Sequence, residues 1–177
     1  MKQLLVAAAT ILLICSCQYC TNGTAQQEQH LVTPETLQAF FPENLGDFKR
    51  VQIGSEILSN GYKMVQSSAL YQDEKLNNRT ILVTIHDTGS NVEAIKNAAP
   101  WCTFQQNNKL EDNSYERTGT FNAYPAYEKF DEHYRSSTLS FLINNRFAVD
   151  INGSVCFMYD VKAVISKFDF GGLEQIK

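Results

Sequence analysis

Between residues 115 and 151 the chain alternates short runs of period-two hydrophobicity with tight-turn residues. This restricts it to an antiparallel sheet. Leu139, Phe141 and Ile143 alternate with polar or smaller residues, Asn144-Asn145 follows, and Phe147, Val149 and Ile151 alternate again. Successive strand side chains point to opposite faces, so each triplet lines one face. A connection this short can join only antiparallel neighbours. Upstream, 115–121 and 125–134 flank Asn122-Ala123-Tyr124, and 48–58 and 62–71 flank Ser59-Asn60-Gly61, where Asn-Gly is the stronger hairpin signal. The clearest strand is 79–87. Ile81, Val83 and Ile85 point one way, and Leu82, Thr84 and His86 the other, so one sheet face is wet or only partly covered.

Helices are expected at both ends and in the middle. Thr33 can cap a first helix, Pro34 suits its first turn, Glu35 favours the dipole, and Pro42 ends it. Ser90 or Asn91 can cap a second through Val92, Ile95, Ala98 and Ala99, stopped by Pro100. Residues 107–113 read as a polar loop, and Gly153-Ser154 as a break that interrupts the last strand. Phe157, Met158, Val161, Val164, Ile165 and Phe168 follow helical spacing up to Gly171-Gly172. The resulting order is α-β-β-β-α-β-β-β-β-α. It is an α+β fold in which an antiparallel sheet of about six or seven strands packs against helices.

The N-terminus bears on address rather than fold. Lys2 precedes an apolar run from Leu4 to Ile14. At about eleven residues it is too short for a bilayer core that needs ~20. The run ends at Ile14-Cys15-Ser16-Cys17, with an aliphatic residue at −3 and a small one at −1 relative to Cys17. Residues 1–16 are therefore read as a lipoprotein signal peptide and Cys17 as the acylated (palmitate-bearing) mature N-terminus. Ordinary secretion with cleavage near Ser16 is the alternative. Residues 17–30 are polar, rich in Gln and Thr, and read as a flexible tether. Residues 31–177 form a single domain. Loss of Lys2 takes the formal charge from −4 to −5. Without a basic cluster, that argues against nucleic acid and against an anionic-lipid patch, leaving the acyl anchor as the membrane contact.

Candidate chemistry is thin. The chain contains no G-x-S-x-G, P-loop, G-x-G-x-x-G or H-E-x-x-H. Asp131 and His133, two apart on an expected strand, could converge on one face and start a metal or catalytic site, but a charged strand end explains them as well. Cys102 follows the second helix and Cys156 opens the last one. If both helices cover the same face, the two can bridge in an oxidising compartment. As a nucleophile Cys102 is disfavoured by the helix C-terminus it follows. Tyr115, Phe121, Tyr124, Tyr127, Phe130 and Tyr134 are packing residues by default, and a partner surface if exposed. No cofactor or metal is called for.

The element order resembles the fold of the photosystem assembly subunit PsbP and of Mog-type Ran-binding nuclear-transport factors, over residues 33–170. Several segments also resemble a family of uncharacterised bacterial exported lipoproteins: Leu45-Gly46-Asp47-Phe48-Lys49-Arg50, Tyr71, Ile85-His86-Asp87-Thr88-Gly89, Tyr115-Glu116-Arg117, Tyr127-Glu128-Lys129-Phe130 and Asn145-Arg146-Phe147-Ala148-Val149. The resemblance gives no residue a role, but it implies a binding or assembly module rather than an enzyme. The expectation is a non-enzymatic, lipid-anchored cell-envelope domain with a protein partner. Gln18 after Cys17, in place of Asp, resembles lipoproteins sorted to the outer membrane. The alternatives are a periplasmic or surface binder of a small amphiphilic ligand, and an enzyme using the Asp131/His133 face.

Overall fold

The structure is a computed structural model and describes residues 31–59, 61–104 and 108–176. The expected signal peptide, the expected acylation site Cys17, the expected tether and Asn60 of the first expected hairpin turn lie outside the described residues. The elements run α1 (Pro34–Gln38), β1 (Asn44–Leu45), β2 (Phe48–Ser59), β3 (Lys63–Asp73), β4 (Thr80–Asp87) and α2 (Val92–Ala98), followed by a 3-10 turn (Pro100–Thr103). Next come β5 (Asn108–Glu111), β6 (Ser114–Phe121), β7 (Tyr124–Asp131), β8 (Ser136–Ile143), β9 (Phe147–Ser154), α3 (Met158–Ile165) and α4 (Gly171–Glu174).

The nine strands of the described residues form one antiparallel sheet in the order β1-β2-β3-β4-β9-β8-β7-β6-β5. It is two meanders. The first runs β1 to β4. The chain then crosses by α2 to the far edge and meanders back, so β9 docks on β4. The fold is α+β as expected, with more strands than six or seven. β1 is only two residues long and pairs with Phe48 and Lys49. β5 falls in the expected polar loop. It becomes a strand because Asp112 and Asn113, both at positive φ, turn it back onto β6. Asn122 and Ala123 do the same between β6 and β7, with φ of 48° and 69°. Two consecutive positive φ values are what a right-twisted two-residue hairpin demands, and Asn and Asp accept them best.

The sheet has two unlike faces. Ile81, Val83, Ile85, Leu139, Phe141, Val149 and Ile151 share one with Leu37 of α1 and with Val161 and Ile165 of α3. The opposite parity carries Met64, Leu142 and Ala148, covered by Ala94, Ile95, Ala98 and Trp101 from α2 and the 3-10 turn. The helix starts hold as read. Thr33 Oγ1 accepts from the Thr36 amide, and Asn91 Oδ1 from those of Glu93 and Ala94.

Two expectations near the C-terminus change. Gly153-Ser154 does not break the strand, because both residues belong to β9 and pair within the sheet. The lack of a side chain at Gly153 lets α3 approach: a Cβ there would lie 2.7 Å from Val161 Cγ2 and 2.9 Å from Cys156 Cβ. The last helix is also shorter than its hydrophobic spacing suggests. α3 ends at Ile165. Phe168 and Phe170 then stack at 4.6 Å and meet Phe41 and Phe141 edge-on. Gly171-Gly172 opens α4 rather than stopping a helix. Among the described residues no helix is long and apolar enough to cross a membrane.

Candidate functional sites

The free edge of β2 carries three exposed aliphatic side chains. β1 covers its outer side only at Phe48 and Lys49, so among the described residues Val51 to Ser59 has no outer strand partner. Pairing with β3 slips between Arg50 and Gln52, a bulge that sets Val51 apart. Val51 and Ile57 are 54% and 59% exposed, and Ile53 is 36% exposed. Ile53 and Ile57 pair with Ala69 and Val65, so both stand on the α1 side of the sheet. Gln38 of α1 donates to Ser55 Oγ between them. Sheet edges are normally blunted by charge, proline or short length. From Gln52 to Ser59 this one carries only Glu56.

A second site lies at the other end of the sheet, on the α3 side. The two-residue turn at Asn122 and Ala123 sets the register that places Arg117 opposite Glu128 and Gly119 opposite Ala126. Arg117 donates to Glu128 Oε2 from Nε (3.1 Å) and Nη2 (2.7 Å). Lys162 Nζ of α3 sits 2.5 Å from Oε1. Burial of Glu128 opposes its charge, but the hydrogen bonds from Lys162 and Arg117 outweigh it and hold the carboxyl below its ordinary value. The Arg117 guanidinium stacks over the Tyr115 ring at 5.0 Å. Beside this cluster is an open cleft of about 310 Å³ lined by Arg117, Gly119, Ala126, Glu128 and Lys162.

The α2 side carries a polar strip. Asp150 stands between Ser140, whose hydroxyl donates to Oδ1 at 2.5 Å, and His86, whose Nε2 lies 3.3 Å from Oδ2. In a nucleophilic triad the imidazole must contact the hydroxyl it deprotonates. Here the carboxylate separates them, so the three residues form a cross-strand hydrogen-bond ladder.

Two of the segments singled out in the sequence meet inside the fold. Asp87, fully buried, accepts from Arg146 Nε (2.8 Å) and Nη2 (2.9 Å), and from the amides of Val32 (2.8 Å) and Gly89 (3.0 Å). The Arg146 carbonyl in turn takes the amide and hydroxyl of Thr88. His86-Asp87-Thr88-Gly89 and Asn145-Arg146-Phe147 are thus the two halves of a clamp between β4 and β9 that also ties down the incoming chain at Val32.

Asp131 and His133 do not share a strand face. β7 ends at Asp131, whose Oδ1 accepts from the Tyr134 amide, and His133 lies in the turn, edge-on to the Tyr134 ring. Among the described residues no group of three or more His, Cys, Asp or Glu is placed to hold a metal. The premise for a Cys102–Cys156 bridge, both helices on one face, does not hold. Cys102 packs with the α2 cluster, whereas Cys156 is buried in the α3 cluster with its Sγ 3.3 Å from the Ser154 carbonyl oxygen. Burial pushes the Cys156 thiol up. The expected aromatic group is divided. Phe121 and Tyr124 pack on Phe141, Phe130 packs on Phe157, and Tyr134 is exposed in the turn.

Compared with known proteins, the chain matches no family model, no curated protein and no solved structure.

Proposed function

We propose that this protein is a lipid-anchored cell-envelope domain that binds another envelope protein by taking an extended segment of it as an extra strand beside β2. The observation that carries this reading is the long outer side of β2 from Val51 to Ser59, with Ile53 and Ile57 exposed on one face. Strand addition uses such an edge directly. Main-chain hydrogen bonds supply affinity, and alternate side chains supply specificity. The bulge at Val51 fixes where pairing would stop. The resemblance of the element order to the PsbP/Mog fold supports the same class, because known proteins of that fold mostly act as binding or assembly modules.

The anchor rests on Ile14-x-Ser16-Cys17 after a short apolar run, and Gln18 favours the outer membrane. Cys17→Ala is expected to abolish labelling by a fatty-acid probe and release the protein from the membrane fraction. Persistent labelling would place the lipid elsewhere. For the edge itself, amide hydrogen exchange of the intact lipoprotein should be slower along β2 in envelope preparations than after purification in detergent. Equal exchange in both would count against an occupied edge.

A further inference from the structure

We propose that the cleft beside Arg117, Glu128 and Lys162 is a binding site for a small organic monocarboxylate, separate from the β2 edge. Gly119 lies in the interior of β6. Glycine weakens a strand interior, and it usually marks a place where something approaches the backbone closely. Among the described residues no group approaches here: a Cβ built on Gly119 meets nothing within 4 Å. At Gly153, by contrast, α3 fills that space. Gly119 therefore leaves a bare patch of floor beside its buried cross-strand partner Ala126. At about 310 Å³ the cleft stands at the lower end of the range for small-ligand pockets.

The wall chemistry selects the ligand. Glu128 engages both oxygens with the two cations and has no charge left to offer. Arg117 Nη1 makes no hydrogen bond among the described residues, and Lys162 Nζ uses one donor of three. One carboxylate against two cations leaves a single positive charge at the cleft, which one carboxylate would neutralise. The free side of a guanidinium is matched to a carboxylate, and its stacking on Tyr115 holds the plane still. An ion network serving only to tie α3 to the sheet would need Lys162 and Glu128, but not an empty floor at Gly119.

The test uses the full chain, isotope-labelled and held in detergent at constant ionic strength, with butyrate as probe and butanamide as its neutral isostere. Amide shifts are followed at Gly119 and its strand neighbours. Butyrate is expected to shift them saturably, with butanamide at least about tenfold weaker. Gly119→Val fills the floor with a better strand former. It should weaken butyrate by about tenfold or more while leaving the unfolding midpoint unlowered. Lys162→Gln, at a half-buried position, should weaken it similarly should the first variant fold poorly. The proposal fails if butyrate gives no saturable shift at Gly119, if butanamide binds equally, or if neither variant alters butyrate affinity.

Discussion

Replacing Asp87 by Asn should unlock the clamp between β4 and β9. The side chain is isosteric, so no cavity opens and the effect is electrostatic. Asp87 is fully buried and Arg146 nearly so, and each carboxylate oxygen receives one guanidinium donor and one backbone amide. An amide group has only one acceptor oxygen. Either Arg146 Nε and the Gly89 amide, or Arg146 Nη2 and the Val32 amide, would then face an NH₂ group that cannot accept. The guanidinium would also lose the carboxylate that balances its charge. Removing one partner of a buried ion pair costs about 3–5 kcal/mol. Against a total stability of about 5–15 kcal/mol, that is a large fraction. For a domain near 150 residues it corresponds to a fall in midpoint of roughly 6–20 °C. Circular dichroism melts and urea titrations measure it. Asp47→Asn is the control, because its pair with Lys75 is exposed on both sides and should change stability by less than about 0.5 kcal/mol. A loss below about 1 kcal/mol for Asp87→Asn, or one no larger than the control's, would refute the clamp.

Two further outcomes follow from the packing and the charges. Gly153→Ala should destabilise by about 1–3 kcal/mol, since the new methyl collides with Val161 and Cys156. Adding Val161→Ala should recover part of the loss in a double-mutant cycle, and strict additivity would mean that the two sites do not touch. Glu128 has a folded pKa held below its ordinary 4.5, chiefly against burial by the bonds from Lys162 and Arg117. Its stabilisation is therefore present above that value and disappears as pH falls through the lower folded pKa. Glu128→Gln should flatten the stability–pH curve in that acid window. A curve parallel to that of the unsubstituted protein would contradict the assignment.

What could be read from the sequence was whatever depends on local periodicity and turn chemistry. Thr33 and Asn91 cap as expected, and Ile81, Val83 and Ile85 share a buried face. Asn122-Ala123 and Asn144-Asn145 turn the chain. What depends on pairing was harder. Residues 108–111 carry no apolar alternation and form a strand only because β6 supplies a partner. Gly153 looks like a strand breaker until the helix it admits is known. Phe168 and Phe170 continue a helical spacing but fold back to stack on each other, which spacing alone does not distinguish. The charged cleft was within reach. A two-residue turn at Asn122 and Ala123 places Phe121 opposite Tyr124, and the same count places Arg117 opposite Glu128. Lys162 lies on a separate element, so its arrival there had no local signal. The β2 edge was not legible, because a strand becomes an edge only through the order of the whole sheet.

Site-specific photo-crosslinking in living cells tests the central claim most directly. A photoreactive residue is placed in turn at Val51, Ile53, Ile57, Leu82 and Tyr159 of the full chain, all five exposed. Leu82 and Tyr159 lie off the β2 edge, on β4 and α3. Strand addition predicts one common protein adduct at the three β2 positions and not at the other two, lost from Val51 when Ile53→Lys and Ile57→Lys are introduced together. Adducts at Leu82 or Tyr159 alone, or none anywhere along β2, would contradict it.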